Sequence, residues 1–317
     1  LTDFSPRRVL LLTDPGIIQQ QLHLPILEIF ESQRQDYAIY SSVQADPAAH
    51  IVLDALQFAQ QQKADLILGF GGGSSLDVAK VLAVLAHPDQ KQQLQDIYGA
   101  GKAKRPRLPL ILVPTTAGTG AEVTPVAIIT TGKTVKTGIV SPALYADAAI
   151  LDASFTQNLP AQITAATGID AMVHAIEAYT SKIKKNPYAD MLAKQALRLL
   201  NKNLPLVLQD GSDLEARQHM LVGSMLAGQA FANAPVGAVH ALAYPLGGNF
   251  HLAHGHSNVL VLTEVMKFNA PAAKQHYAEL MQWLDPYSTG CTDGLCDLFI
   301  DHMQNHLQRN GLTLKLN

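Results

Sequence analysis

The chain has 317 residues, of which 48% are hydrophobic and 15% charged, and this length exceeds what a single hydrophobic core usually fills, so two domains are expected. A formal net charge of −3, without a basic stripe or a basic amphipathic segment, excludes the usual surfaces for nucleic acid and for membranes. The two cysteines, Cys291 and Cys296, are too few for a disulfide framework, and no segment resembles a membrane span or a signal peptide, which predicts a soluble, cytoplasmic protein.

Short apolar runs alternate with helical stretches through the first half of the chain. The runs are residues 9 to 13, 64 to 75, 108 to 116 and 148 to 152, and the first two end in turn signals. A predicted helix covers residues 47 to 62. This alternation predicts an α/β domain with a mostly parallel sheet over residues 1 to 153.

Helical spacing without strand runs begins after Pro160. The segments 161 to 181, 188 to 204 and 213 to 233 each repeat apolar residues at the period of a helix. We therefore expect an all-α domain over residues 154 to 317.

A glycine-rich turn, "GFGGGSSLDVAK" at residues 69 to 80, stands between a buried strand and a helix. Backbone N–H groups without a nearby Cβ, together with the start of a helix, form a cradle for a phosphate. The spacing differs from G-x-G-x-x-G, so a sharp structural bend is the alternative. Asp77, in the first helical turn, would either interact favourably with the helix dipole or reach a ribose hydroxyl.

A second polar loop, "VPTTAGTGAEVTP" at residues 113 to 125, follows another strand, and ligands bind at such strand ends in α/β sheets. Capping of a helix is the alternative. Asp14 ends the first strand, where a carboxylate would accept from the 2′-hydroxyl of an adenosine ribose and repel a 2′-phosphate. This favours NAD over NADP, although Asp-Pro-Gly is also an ordinary turn sequence.

Histidines are concentrated in "HALAYPLGGNFHLAHGHSNV", residues 240 to 259. On a helix further upstream, Asp170 and His174 are four residues apart and share a face, although such a pair is more often a simple hydrogen bond. His240 lies in an apolar stretch and His254 at a glycine turn, and buried histidines need partners. Three imidazoles and one carboxylate suit a divalent metal with positions left open for substrate. His251 and His256 are predicted to be neighbours rather than ligands.

Four ordered motifs resemble the signature regions of the iron-containing (group III) alcohol dehydrogenases. They are "GGGSSLDVAK", "PTTAGTGAEVTP", "ATGIDAMVHAIEAY" and "HALAYPLGGNFHLAHG", and the resemblance covers roughly residues 7 to 270. It implies a dinucleotide-binding α/β domain, a helical domain, and an active site with its metal in the cleft between them. It also implies a divalent metal, with iron favoured and zinc as the alternative, bound by Asp170, His174, His240 and His254.

The resemblance further assigns the cofactor and substrate positions. The implied cofactor contacts are Asp14, Gly72, Gly73, Ser74, Asp77, Thr115, Thr116, Thr119, Thr124 and Lys136. Phe231 would line the alcohol pocket, unless it is an ordinary core aromatic. Many members carry a histidine involved in proton relay where this chain has Tyr244, so Tyr244 and His251 are the candidates for that role. Family segments expected before and after the chain are absent, so both termini are expected to be truncated.

The predicted activity is the NAD(P)-dependent interconversion of a primary alcohol or diol and its aldehyde. The alternatives on the same scaffold are a hydroxyacid–oxoacid transhydrogenase and a glycerol-type dehydrogenase. A non-catalytic nucleotide- or metal-binding protein is the third hypothesis, against which the intact ligand set argues. The resemblance also implies a homo-oligomer, with a dimer favoured.

Overall fold

The computed structural model describes residues 4–132, 135–250, 252 and 254–311, except for the side chain of Asn249. The chain divides into two compact units. Unit 1 contains Leu1–Thr115 and Ala121–Phe155, and unit 2 contains Thr116–Gly120 and Thr156–Asn317. Within the described ranges, no helix is long and apolar enough to cross a membrane.

Unit 1 combines eight strands with four α-helices among its described residues. The strands are β1 Arg8–Leu12, β2 Asp36–Tyr40, β3 Leu66–Gly71, β4 Gly99–Ala100, β5 Leu110–Pro114, β6 Val126–Thr131, β7 Val135–Val140 and β8 Ala148–Ala149. The helices are α1 Pro15–Gln19, α2 Leu24–Ser32, α3 Ala49–Gln62 and α4 Gly73–Leu85.

The main sheet is parallel and has the strand order β2-β1-β3-β5-β8. Every residue of the central strands β3 and β5 is buried, which is why their sequences are continuous apolar runs rather than alternating ones. The α/β class predicted for this half of the chain is confirmed. Strand β2 was not predicted, because it is a half-buried edge strand without a long apolar run.

A second, smaller sheet was not expected. It has the order β4-β7-β6, and β6 pairs with β7 in antiparallel register from Val126↔Val140 to Thr131↔Val135. The predicted mostly parallel sheet therefore describes the five-stranded layer, while a mixed three-stranded sheet stands beside it in unit 1.

Unit 2 is helical in its described part, as predicted. Its helices are α5 Ala161–Thr180, α6 Pro187–Gln209, α7 Leu214–Asn233, α8 Ala238–Phe250, α9 His254–Leu284 and α10 Thr292–Arg309. Helix α5 is the central one: it packs against α6, α7 and α9, and its residues from Gly168 to Tyr179 are all buried. Polar side chains within that stretch therefore need partners inside the helical unit.

Candidate active site

The carboxyl ends of β1, β3 and β5 lie side by side because these strands are parallel neighbours. The Thr115 amide donates to the Gly71 carbonyl at 3.0 Å, which ties the ends of β5 and β3 together. Asp14, after β1, accepts from the Gly16 and Ile17 amides at 2.9 and 3.1 Å. Its second oxygen lies 3.5 Å from the Ser75 hydroxyl. Three of the chain segments predicted to bind the cofactor thus meet at one edge of the sheet.

The glycine turn leads directly into α4. Gly72 is the N-cap residue, and as a glycine it offers no side chain to the first-turn amides of Gly73 and Ser74. Gly71 has φ +149°, and a Cβ there would lie 2.7 Å from the Ser75 hydroxyl oxygen. Bare amides at the start of a thirteen-residue helix suit an anion such as a pyrophosphate. The turn therefore fits the phosphate cradle of a dinucleotide.

Asp77 and Thr124, two further predicted cofactor residues, are joined by a residue that the sequence analysis missed. The fully buried ammonium of Lys80 lies 3.3 Å from Asp77 Oδ1, 3.2 Å from Thr124 Oγ1 and 2.7 Å from the Val126 carbonyl. Asp77 Oδ2 accepts from the Ile128 amide at 2.9 Å. These bonds hold β6 against α4, and the spacing of Asp77 and Lys80 on one helix face was the available signal. The predicted cofactor contacts of Asp77 and Thr124 stay a prediction.

Glu122 is another buried ionisable residue near Lys80 that was not predicted from the sequence. It is 3% exposed, and burial raises its pKa to about 7 although the charge of Lys80 acts in the opposite direction. Burial likewise lowers the pKa of Lys80 and raises that of Asp77, while their mutual attraction partly offsets both shifts. Burial therefore favours the neutral forms of Lys80, Asp77 and Glu122 in unit 1.

The remaining cofactor predictions are spread over the two units. Lys136 lies on β7 and forms an ion pair with Asp46. Thr116 and Thr119 belong to the short segment that packs with unit 2, where Gly120 approaches the backbone of α7. The polar loop at residues 113 to 125 is thus divided between the two units, and its sequence did not predict this division.

Three of the four predicted metal ligands converge in unit 2. Ligand atoms of Asp170, His240 and His254 all lie within 4.8 Å of one another. Asp170 Oδ1 is 3.5 Å from His240 Nε2 and 3.6 Å from His254 Nε2. Helices α5, α8 and α9 each contribute one of these side chains, so the packing of three helices forms the cluster.

His174, the fourth predicted ligand, lies beside this cluster. Its ring stacks on that of His240 and on that of Phe231, with centroid distances of 4.4 Å in both cases. His174 is 5% exposed, and its Nδ1 is buried without a hydrogen-bond partner among the described residues. A buried nitrogen in this state is costly unless something binds it.

Two further side chains contact the predicted ligands, and neither was predicted from the sequence. Asn258 Nδ2 donates to Asp170 Oδ1 at 2.6 Å. Glu177 Oε2 lies 2.6 Å from His240 Nδ1, and its Oε1 accepts from the Val239 amide at 2.7 Å. Glu177 continues the polar face of Asp170 and His174 on α5, and Asn258 follows His254 by one turn on α9. These helical spacings were signals that could have found them.

The charge state of the cluster follows from its neighbours. Burial alone would raise the pKa of Asp170, but His174, His254 and His240 outweigh it and hold that pKa well below its usual range. Burial lowers the pKa of His174 to about 4 against the pull of Asp170. For His240, burial acts downward, but the nearby carboxylates of Asp170 and Glu177 raise the pKa to about 9. An ionised carboxylate thus stands among imidazoles, one of which is neutral at pH 7.

Helix α9 starts at His254, so the glycine turn predicted at this position is wrong. Gly255 is a helical residue, and a Cβ on it would lie 2.3 Å from the Ala166 carbonyl oxygen on α5. The glycine is needed because the two backbones approach closely, not because the chain turns. This approach brings His254 and Asn258 to Asp170.

The other predicted residues of this site have different outcomes. The ring of Tyr244 stacks on that of His254 with a centroid distance of 5.7 Å. Phe231 is half-buried on α7 beside His174. His256 is half-buried on α9 and is not one of the three converging residues. His251 lies outside the described residues, so its role stays a prediction.

A divalent cation fits the cluster by the chemistry of its donors. Two ligand atoms roughly 2.1 Å from one tetrahedral ion lie about 3.4 Å apart. The distances of 3.5 and 3.6 Å between Asp170 Oδ1 and the two imidazole nitrogens are close to that value. His240 Nε2 is also buried without a hydrogen-bond partner in the described part of the chain. Imidazole and carboxylate together suit first-row divalent metals.

Two family models match the chain. The model of the iron-containing alcohol dehydrogenases matches residues 1–153, and the model of the C-terminal part of the Fe-containing alcohol dehydrogenase family matches residues 164–299.

Individual proteins agree with these models. The chain is 40% identical over 279 residues to long-chain-alcohol dehydrogenase 1 of Geobacillus thermodenitrificans, covering 88% of this chain and 70% of that protein. It is 33% identical over 291 residues to the NAD-dependent methanol dehydrogenase of Bacillus methanolicus, covering 92% of this chain and 76% of that protein. A crystal structure of 1,3-propanediol oxidoreductase superposes with a TM-score of 0.94 at 33% identity, covering 98% of this chain and 81% of that one.

The fold and the site define an oxidoreductase of the alcohol dehydrogenase class. The chain belongs to the iron-containing alcohol dehydrogenase family. Membership implies a nicotinamide cofactor, a metal ion, and small alcohols or aldehydes as substrates. The predicted fold class and the predicted interconversion of alcohol and aldehyde are therefore confirmed.

Proposed function

We propose that the chain interconverts a primary alcohol or diol and its aldehyde with NAD rather than NADP, using Fe²⁺ held by Asp170, His174, His240 and His254. The observation that carries this proposal is the convergence of Asp170, His240 and His254 within 4.8 Å in unit 2, where the first two are buried and His254 is half-buried. An ionised carboxylate beside imidazole nitrogens is a donor set that suits a divalent cation.

The buried nitrogens support the same assignment. His240 Nε2 and His174 Nδ1 have no hydrogen-bond partner among the described residues. Coordination of a metal would satisfy a nitrogen of each ring at a depth where water competes poorly. Fe²⁺ is chosen over Zn²⁺ because of the family, since the donor set accepts both ions.

Asp14 supports the choice of NAD. Its carboxylate lies at the end of β1, beside the turn into α4, and one of its oxygens is used to cap α1. A carboxylate at this edge accepts from a ribose hydroxyl and repels a 2′-phosphate. The methanol dehydrogenase relative, whose name states NAD, is consistent with this choice. Gly72, Gly73 and Ser74 would hold the pyrophosphate at the start of α4.

The side chains of unit 2 then have separate roles. A bound metal supplies Lewis acidity toward the substrate oxygen, and the nicotinamide supplies the hydride acceptor or donor. Asp170 offsets the charge of a cation, and Phe231 presents an apolar ring beside His174 that would contact the carbon chain of the alcohol. Tyr244, stacked on His254, is the described candidate for moving the hydroxyl proton.

The test is NADH oxidation with a panel of short aldehydes on protein stripped with a chelator and reloaded anaerobically with Fe²⁺ or Zn²⁺. We expect activity to disappear on stripping and to return best with Fe²⁺, and NADH to be preferred over NADPH. Activity that is unchanged by stripping contradicts the metal assignment. Turnover only when a hydroxyacid and an oxoacid are both present would favour the transhydrogenase. Binding of NADH without any turnover would favour a regulatory protein.

A histidine pair on α9 provides matched variants. His254→Ala removes a proposed ligand, whereas His256→Ala removes an imidazole two residues away that is outside the converging set. We expect His254→Ala to lose metal and activity while His256→Ala keeps both. Equal losses in the two variants would show that general damage to the start of α9 is responsible.

A homodimer in the cytoplasm remains part of the proposal on the basis of the family resemblance. Light scattering of the purified chain measures its mass directly, and a value near 34.1 kDa would contradict the dimer.

A further inference from the structure

Glu177 uses both of its carboxylate oxygens on α8. Oε2 lies 2.6 Å from His240 Nδ1, and Oε1 accepts from the Val239 amide at 2.7 Å. Glu177 is 6% exposed, so water competes poorly for these contacts. None of the roles proposed above uses this side chain.

The contact determines which nitrogen of His240 carries its proton. An ionised carboxylate only accepts hydrogen bonds, so the partner at Nδ1 must be an N–H group. With a pKa of about 9, the metal-free ring also carries a proton at Nε2 at pH 7; a metal ion would displace that proton, and the ring that keeps Nδ1–H would then offer its lone pair at Nε2. That nitrogen is the atom 3.5 Å from Asp170 Oδ1 and has no hydrogen-bond partner in the described part of the chain.

We propose that Glu177 is a positioning residue of the metal site. Its carboxylate holds His240 with the proton on Nδ1 and directs Nε2 toward Asp170, the residue that would hold the ion with it. The inference rests on the proposed function, because it requires that the cluster bind a metal. Outer carboxylates of this kind orient ligating histidines and increase their basicity.

A simpler role for Glu177 is to cap α8, which begins at Ala238, through the Val239 amide. The two roles separate in a glutamine variant. A glutamine side chain has one acceptor oxygen and one donor NH₂ group, so it cannot accept from Val239 and His240 in the same way. Either the Val239 bond is lost, or the amide NH₂ faces Nδ1 and shifts the ring proton to Nε2.

The experiment measures Co²⁺ binding to the whole chain in wild type, Glu177→Gln and a matched control, Glu264→Gln. Glu264 is on α9, is 73% exposed in its side chain, and pairs with Lys267 at the surface. We expect Glu177→Gln to bind Co²⁺ roughly 10- to 100-fold more weakly in a chelator competition, with a changed visible absorption band. Glu264→Gln should match wild type in both measurements.

Each outcome has a separate meaning. A wild-type chain that binds no Co²⁺ contradicts the proposed function and this inference together. Wild-type binding with an equal affinity and an equal spectrum for Glu177→Gln overturns the inference alone. A lower melting temperature of Glu177→Gln with unchanged Co²⁺ affinity and spectrum assigns Glu177 to capping.

A measurement on wild type covers the case in which Glu177→Gln does not fold. In the Zn²⁺-loaded chain labelled with ¹⁵N-histidine, long-range proton–nitrogen spectra report which ring nitrogen of His240 carries hydrogen; His240→Gln assigns the signal. We expect a protonated Nδ1 and a metal-bound Nε2. A His240 ring bound through Nδ1, or protonated at Nε2, overturns the inference.

Discussion

The candidate cofactor edge of unit 1 and the metal cluster of unit 2 are built from different parts of the chain. At the edge, the groups that would hold the cofactor are largely backbone amides at the start of α4, left bare by Gly72. In the cluster they are the side chains of Asp170, His240 and His254, from three helices. One site therefore depends on local backbone conformation, and the other on helix packing. Damage to either should leave the other largely intact.

The two regions also differ in the charge state that is favoured for their buried acids. Neighbouring imidazoles outweigh burial and hold the pKa of Asp170 low, so the ionised form is favoured. Glu122 in unit 1 has its pKa raised to about 7 by burial, despite Lys80 nearby. The buried acid of unit 2 is thus ionised, while the neutral form is favoured for the buried acid of unit 1.

The largest effect is expected from Asp170→Asn. The variant removes the negative charge from the centre of the cluster while keeping the size of the side chain. Loss of this ligand should reduce activity by more than the roughly 100-fold that loss of an outer partner costs. Metal content by elemental analysis and NADH oxidation with an aldehyde check this.

If the cofactor edge and the metal cluster are separate sites, Asp170→Asn should still bind NADH. Quenching or enhancement of NADH fluorescence measures this binding in the metal-free variant and in metal-free wild type. Equal affinities support separate sites. A variant that folds but has lost NADH binding as well would contradict that separation.

Gly71→Ala should have the opposite pattern. The residue has φ +149°, and the new Cβ would lie 2.7 Å from the Ser75 hydroxyl oxygen and 3.1 Å from Asp14 Oδ2. Backbone strain of this kind costs about 1–3 kcal/mol, and relief requires moving the turn into α4. We expect NADH affinity to fall about tenfold or more, with metal content unchanged.

Gly101→Ala is the matched control for Gly71→Ala. Gly101 also has a positive φ, of +69°, but a Cβ there meets nothing within 4 Å. It should therefore lose stability from backbone strain without losing NADH affinity. Equal NADH affinities in the two variants would remove the glycine turn from the cofactor site.

A smaller effect, on the metal side, is expected from Gly255→Ala. A Cβ 2.3 Å from the Ala166 carbonyl oxygen would force α9 away from α5, because the crowded atom belongs to the backbone. Overpacking of this kind typically costs about 1–3 kcal/mol. The shift would displace His254 and Asn258, so we expect a lower melting temperature and weaker Co²⁺ binding with normal NADH affinity.

The control is Gly294→Ala on α10, where the nearest atom to a new Cβ is Cys291 Sγ at 3.6 Å, an ordinary contact. This variant should melt near the wild-type temperature and bind Co²⁺ normally. If Gly255→Ala does the same, the close approach of α9 and α5 does not position His254.

The difference between local backbone conformation and packing of distant helices explains which features could be predicted from the sequence. Strands β3 and β5 and the glycine turn are contiguous runs, so their patterns indicated both fold and cradle. The pair Asp170 and His174 could be predicted because residues four apart lie on the same face of a helix. Glu177 and Asn258 were missed because their roles depend on partners 63 and 88 residues away in the chain. Gly255 was misread as a turn because close contact between helices leaves no local signal.

The smallest effect concerns the pH dependence of stability and separates the buried acids of the two regions. The pKa of Glu122 is about 7 in the folded chain, against 4.5 for an ordinary glutamate. Between these values the folded chain holds a proton that the unfolded chain has released. The stabilisation by Glu122 is therefore complete below about pH 4.5 and is lost as the pH rises through 7.

Glu122→Gln removes this titration and leaves an uncharged side chain of similar size. Relative to wild type, the variant should gain stability from pH 5 to pH 8, by at most about 3 kcal/mol at 1.36 kcal/mol per pKa unit. Urea unfolding at several pH values measures the difference, in which the other titrating groups largely cancel. A constant difference for Glu122→Gln would mean that Glu122 is already ionised in the folded chain, as Asp170 is, and that burial in unit 1 does not favour the neutral acid.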